Sequence, residues 1–110
     1  MDKEVIQFVG VSDLPPEEQD VVNKLSTEYF DKIKRSVKNI TSLMVHVKLY
    51  DAEGARKKYS VHAKAISPAG TFTSEHAADW DLARAVHKSF KNLENEVKHR
   101  LHADDQRPKF

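Results

Sequence analysis

The chain has 110 residues, 39% apolar and 32% charged, with no cysteine and a formal net charge of +1. That length holds one domain with one core, and that composition fits a globular protein rather than a disordered chain. Disulfides and thiolate metal sites are excluded, the apolar runs are too short to span a bilayer, and with no basic-then-apolar leader a cytoplasmic location is expected. Charge is spread unevenly. Residues 1–20 hold one basic residue, Lys3, against six acidic ones, whereas the rest of the chain holds seventeen basic and eleven acidic residues. Such polarity lets one surface attract a polyanion although the whole molecule is nearly neutral.

In chain order, Glu4 to Val9 is short, apolar and β-branched, which predicts a strand ending at Gly10. The run SDLPP then reads as a turn and a helix start, because proline is tolerated in the first helical turn. Glu17 and Glu18 there complement the positive end of the helix dipole. From Pro16 to Val37 the apolar positions Val22, Leu25, Tyr29, Ile33 and Val37 step by three and four, with Lys24, Arg35 and Lys38 opposite them, interrupted by Glu28 and Asp31. Lys38-Asn39 is a helix stop, since Asn39 can take a left-handed cap.

Strict alternation follows. Leu43, Val45, Val47 and Leu49 are expected to point one way, and Met44, His46, Lys48 and Tyr50 the other. After the loop DAEGA, Tyr59, Val61, Ala63 and Ala65 alternate with Lys58, Ser60, His62 and Lys64. Ser67-Pro68-Ala69-Gly70 suits a type I turn, with proline fixing φ at its second position. A fourth strand is expected from Thr71 to about Ala78, although its alternation is weak. Asp79 or Asp81 then caps a final helix. In that helix Leu82, Val86, Phe90, Leu93, Val97 and Leu101 form one apolar stripe, and Arg84, Lys88, Lys91 and Lys98 face solvent about half a turn away.

The expected architecture is an α+β two-layer sandwich of order β-α-β-β-β-α. It has a four-stranded mixed sheet with both helices on one face. The right-handed crossover rule places the first strand parallel to the second and beside it. Residues 1–102 are expected to form the domain, and 103–110 a polar, flexible tail.

Ile40-Thr41-Ser42 leading into MVHVKL, the Pro68-Ala69-Gly70 turn, and Asp81-Leu82, Ala85-Val86 and Leu93-Glu94 of the final helix together resemble the ribosome hibernation factors, also called ribosome-associated inhibitors. The resemblance covers about residues 4–102, and the length is similar to that of the family's short form. It implies a non-enzymatic protein of the stress response. Such a protein lies in the messenger- and transfer-RNA channel of the small ribosomal subunit and stops translation. It is expected to be monomeric off the ribosome, with no membrane, cofactor or small-molecule substrate.

Lysine and arginine on rigid helices can meet phosphates at fixed spacing. The expected RNA contacts are therefore Arg84, Lys88, Lys91 and Lys98, a second row of Lys24, Arg35 and Lys38, and Lys48 and Lys64 on the wet sheet face. A rival use of that face is metal binding. Pairing Val47 with Val61 puts His46 opposite His62, and a tight next turn would bring Glu75 beside His62. The alternative is that these side chains contact RNA or water. No nucleophile–base pair, Gly-rich phosphate loop or inward carboxylate pair is visible, so no enzymatic activity is expected. Two other readings stay open. One is a double-stranded RNA-binding module, whose α-β-β-β-α order remains when the first strand is removed. The other is a protein-interaction domain without nucleic acid.

Overall fold

A computed structural model describes residues 5–50, 57–74 and 77–105, the side chains of residues 50 and 101–105 excepted. The elements are β1 (Ile6–Val9), a 3-10 turn (Val11–Asp13), α1 (Pro16–Ile33), β2 (Ser42–Tyr50), β3 (Lys58–Ser67), β4 (Gly70–Thr73), β5 (Ala77–Asp79) and α2 (Leu82–Asp105). The sheet order is β1-β2-β3-β4, with β5 also paired to β3. Both helices cover one face of this mixed sheet, and the other face is open.

β1 lies parallel to β2, with Ile6 opposite Leu43 and Phe8 opposite Val45, as the crossover rule expects. The chain leaves β1 through Gly10 at φ +82°, where an added Cβ would sit 2.2 Å from the carbonyl oxygen of Val47. Only glycine combines that left-handed backbone with so close an approach. It turns the chain from the sheet edge into the 3-10 turn, whose Val11 joins the core.

α1 begins at Pro16, as expected, but ends at Ile33 rather than Val37. The amides of Arg35 and Ser36 reach back only three residues, to the carbonyls of Lys32 and Ile33. That tightening ends the regular helix while Val37, 2% exposed, still reaches the core. Asn39 takes the left-handed conformation at φ 62°.

β2 and β3 pair antiparallel with Val47 opposite Val61 and His46 opposite His62, the register read from parity. Leu43, Val45, Val47, Val61 and Ala63 are buried beneath the helices, while Lys48 is exposed and His62 and Lys64 are half-buried on the open face. Leu49 departs from expectation. It has core parity, yet it is 42% exposed, while its cross-strand partner Tyr59 is buried. The loop DAEGA falls outside the described residues. Ser67 pairs with Gly70 across the turn, and Ser67 Oγ accepts from the Ala69 amide at 3.2 Å. Among the described non-glycine residues only Asn39 has positive φ, so Ala69 keeps the negative φ a type I turn requires.

The expected fourth strand is two strands. From Lys64–Thr73 to Val61–Ala77, β3 recedes by three residues while its partner lane advances by four. One extra residue is therefore accommodated between β4 and β5, the definition of a bulge. Ser74 closes it. Its amide donates to the Ala63 carbonyl and its Oγ accepts from the Ala63 amide, each at 2.9 Å. The same hydroxyl lies 2.9 Å from Ser89 Oγ, buried on α2. A run of Ser, Glu and His has no apolar alternation to betray a break, which is why the sequence reads as one strand.

Asp81 caps α2, its Oδ1 accepting from the Arg84 amide at 3.0 Å. The helix runs to Asp105, past the expected domain end at 102. Leu82, Val86, Phe90, Leu93 and Val97 are buried as their periodicity implies. Tyr29 joins the two helices by stacking on Phe90 at 5.0 Å and through a 2.6 Å hydrogen bond between its hydroxyl and His87 Nδ1.

Candidate nucleic-acid interface

The apolar stripe of α2 faces the sheet, so the positions half a turn away must face outward. Arg84, Lys88, Lys91 and Lys98 are all exposed there. Fourteen residues of helix separate the first from the last, about 21 Å at 1.5 Å per residue. Between α2 and β5 a shallow groove of about 480 Å³ is lined by Arg84, His87, Lys88 and Lys91 together with Ala77, Ala78 and Asn92.

One carboxylate sits beneath this row. Asp79 Oδ2 accepts from Lys88 Nζ at 2.8 Å, and Asp79 Oδ1 lies 4.0 Å from the Arg84 guanidinium. The Asp81 amide also donates to Asp79 Oδ1. The Lys88 hydrogen bond and then the amide hold the Asp79 carboxyl down at about 2. Asp79 thus fixes the Lys88 head at the groove wall and leaves Arg84, its side chain 68% exposed, turned to solvent. Lys91 is 3.9 Å from Glu94, an exposed contact of small energetic weight.

The remaining expected contacts do not join this row. Lys24 stands between Asp20 and Glu28, one turn to either side, all three exposed. Arg35 and Lys38 lie beyond the end of α1, so they do not continue a helical row with Lys24. They border a separate shallow depression with Val5, Phe30, Lys34, Asn39 and Ile40. Lys48 and Lys64 are on the open sheet face, the opposite side of the sandwich from α2. The nine residues therefore divide among four places, of which the α2 row alone sets four cations along one helix face.

The metal reading is only partly traceable. His46 and His62 are cross-strand partners, as parity required. Glu75 lies outside the described residues. Among the described residues no group of three potential ligands could hold a metal ion.

Sequence reasoning missed Asp79 as the anchor of Lys88. The signal was the nine-residue separation, which spans a strand end and two helical turns and has no local periodicity. It also missed Arg100, whose guanidinium stacks 4.7 Å from the Phe72 ring and donates to the Thr71 carbonyl at 2.6 Å. Arg100 pins the helix to the β4 edge and is held away from the outward row.

No family model matches the chain, and no match is found among curated proteins.

Proposed function

We propose that the protein is a ribosome-associated inhibitor of translation that binds small-subunit ribosomal RNA through the outward face of α2 and acts in the cytoplasm. The observation that carries the reading is the line Arg84, Lys88, Lys91 and Lys98 along about 21 Å of one rigid helix. Arg84, Lys88 and Lys91 are neighbours about 5–6 Å apart, and Lys98 lies two turns, about 10 Å, further on, so that each can meet a phosphate. The resemblance in strand and turn residues supplies the ribosomal context. The order behind β1, α-β-β-β-α when β4 and β5 are counted as one lane beside β3, also supports a double-stranded RNA-binding module. That module's lysine cluster belongs at the start of the last helix, where this chain has the Asp81 cap and the Asp79 carboxylate, so it stands second.

The test is sedimentation of the protein with ribosomes on a sucrose gradient at several salt concentrations. Co-migration with small subunits or whole ribosomes is expected. A Lys88→Gln/Lys91→Gln variant should bind more weakly, with the log–log salt slope smaller by about two. Migration only at the top of the gradient, or an unchanged double variant, overturns the reading.

A further inference from the structure

The groove between α2 and β5 contains a histidine that the row of cations does not use. Arg84, His87, Lys88 and Lys91 all line it. They stand at i, i+3, i+4 and i+7 of one helix, so His87 is a turn from Arg84 on one side and from Lys91 on the other, beside Lys88. The four side chains form a cluster rather than a line, and Lys98 lies outside it. The facing wall, Ala77 and Ala78 of β5, is uncharged.

His87 is exposed, yet its ring is fixed. Tyr29, 4% exposed on α1, places its hydroxyl 2.6 Å from His87 Nδ1, and the two rings meet edge to face with centroids 5.5 Å apart. Tyr29 itself stacks on Phe90 within 5° of parallel, so neither ring turns freely. Burial, then the charges of Glu94 and Glu28, push the Tyr29 hydroxyl up, and the phenol keeps its hydrogen at neutral pH. Among the described residues that hydrogen has no acceptor other than Nδ1. The phenol therefore donates to Nδ1, and the hydrogen of a neutral imidazole must sit on Nε2. In an imidazolium both nitrogens carry hydrogen and the phenol oxygen accepts instead. Nε2 is a donor in either state. It makes no hydrogen bond to any described residue, and with the Nδ1 edge turned to α1 it is left to the groove.

We propose that His87 is a phosphate ligand of the α2 face, its Nε2–H completing a subsite with Arg84, Lys88 and Lys91 that grips one RNA phosphate, and that Tyr29 is its positioning residue. The subsite rests on the RNA reading of α2 and gives that face a focus in the first half of the helix. Ammonium groups attract an anion from any side, whereas a ring fixed at Nδ1 offers one N–H in one direction. His87 thereby sets where along the helix the RNA backbone is held.

The full chain is titrated with a short labelled RNA hairpin at low salt and followed by anisotropy, and the imidazole nitrogens are followed by long-range proton–nitrogen NMR. At mildly alkaline pH the free protein should show a histidine with its hydrogen wholly on Nε2 and a hydrogen-bonded Nδ1, a signal lost in His87→Gln. Its Nε2 signal should move when RNA is added. His87→Ala should lose about three- to tenfold in affinity. His87→Gln, which sets an amide N–H near the place of Nε2, should keep most of it, whereas His87→Asn should not. Tyr29→Phe keeps the ring stack and should lose about two- to fivefold alone but nothing further in the His87→Ala chain.

Hydrogen on Nδ1 in the free protein overturns the proposal whatever the RNA does. So does His87→Ala binding like wild type while Lys88→Gln/Lys91→Gln is weakened, an outcome that leaves the α2 reading standing. An unweakened Lys88/Lys91 variant removes both. Equal losses from Tyr29→Phe in the wild-type and His87→Ala chains overturn the positioning role. Displacement of the RNA by polyglutamate at equal charge concentration would make the ligand an acidic polypeptide and overturn the phosphate assignment.

Discussion

Asp79 and Lys88 meet at 2.8 Å across the junction between β5 and α2, joining the last strand to the basic face of the last helix. The carboxylate side chain is only 10% exposed, whereas the lysine is half exposed. The pair therefore sets where the lysine head lies without hiding it from a ligand.

Asp79→Asn removes a negative charge from beneath the row and releases both Lys88 and Arg84. RNA binding at low salt should tighten and its salt slope steepen, as checked by sedimentation or anisotropy across a salt series. Stability should change with pH in a defined window. The carboxyl is held at about 2 against an ordinary 3.8, so its contribution is complete above about 4 and is lost as pH falls through about 2. Acid denaturation of Asp79→Asn, followed by circular dichroism, should lack that component.

Tyr59 and Glu18 form a second linkage, between β3 and the first turn of α1, with the phenol donating to Oε2 at 2.8 Å. Burial and then the carboxylate hydrogen bond push the Tyr59 hydroxyl up to about 12. The raised value favours the neutral phenol, so its stabilisation is complete below about 10 and lost as pH rises through about 12. Burial raises the Tyr29 hydroxyl as well, so phenolate absorbance should show the component near 12 lost in Tyr59→Phe while a raised Tyr29 component stays. Urea unfolding of Tyr59→Phe at neutral pH should show a loss of about 1–3 kcal/mol, because among the described residues Glu18 Oε1 has no partner and Oε2 would lose its own.

The Ser74–Ser89 contact should be energetically coupled. Ser74→Ala leaves the Ala63 amide and the buried Ser89 hydroxyl short of a partner, at a cost of about 1–3 kcal/mol. Adding Ser89→Ala should cost less than the two single losses combined. A double-mutant cycle by chemical denaturation measures the difference.

Lys24→Gln should change RNA affinity little, since Asp20 and Glu28 already offset that charge on the outer face of α1. Lys98→Gln should cost more. Side-by-side anisotropy titrations of the two variants at one salt concentration decide the order.

Gly10→Ala should be among the most damaging single changes. The left-handed backbone alone costs about 1–2 kcal/mol for an alanine, and the new Cβ would drive into the Val47 carbonyl. Thermal unfolding should show a marked loss, whereas an alanine at exposed Asn92 should be nearly neutral.

Much of this arrangement is legible in the residues themselves. The alternation of LMVHVKL and YSVHAKA sets a register correct to the residue, because a slip of one would expose every valine. The stripe from Leu82 to Val97 orients α2 and with it the outward cations. The early end of α1 is not legible, since Lys34 to Val37 continues the helical pattern and only the hydrogen bonds show the tightening. Nor is the grouping of the cations. Lys24, Arg35 and Lys38 look like a row on a helical wheel, yet the chain leaves the wheel before the last two. Asp79 reads as a helix cap, and whether Asp79 or Asp81 would serve depends on where the strand stops.

The bulge closed by Ser74 decides the facing of everything that follows it. In β4 the odd-numbered residues Thr71 and Thr73 look toward solvent, whereas in β5 the odd-numbered Ala77 is buried and the even-numbered Ala78 is exposed. The inserted residue has changed the phase of the strand. Deleting one residue between Ser74 and Ala77 should turn Ala78 inward, swing Asp79 to the open side, and carry Lys88's partner out of reach. The same rotation would send Trp80 toward the helix layer. A single-residue length change in a three-residue connection would thus exchange residues between the two outer surfaces, while the core valines of β2 and β3 stayed where they are.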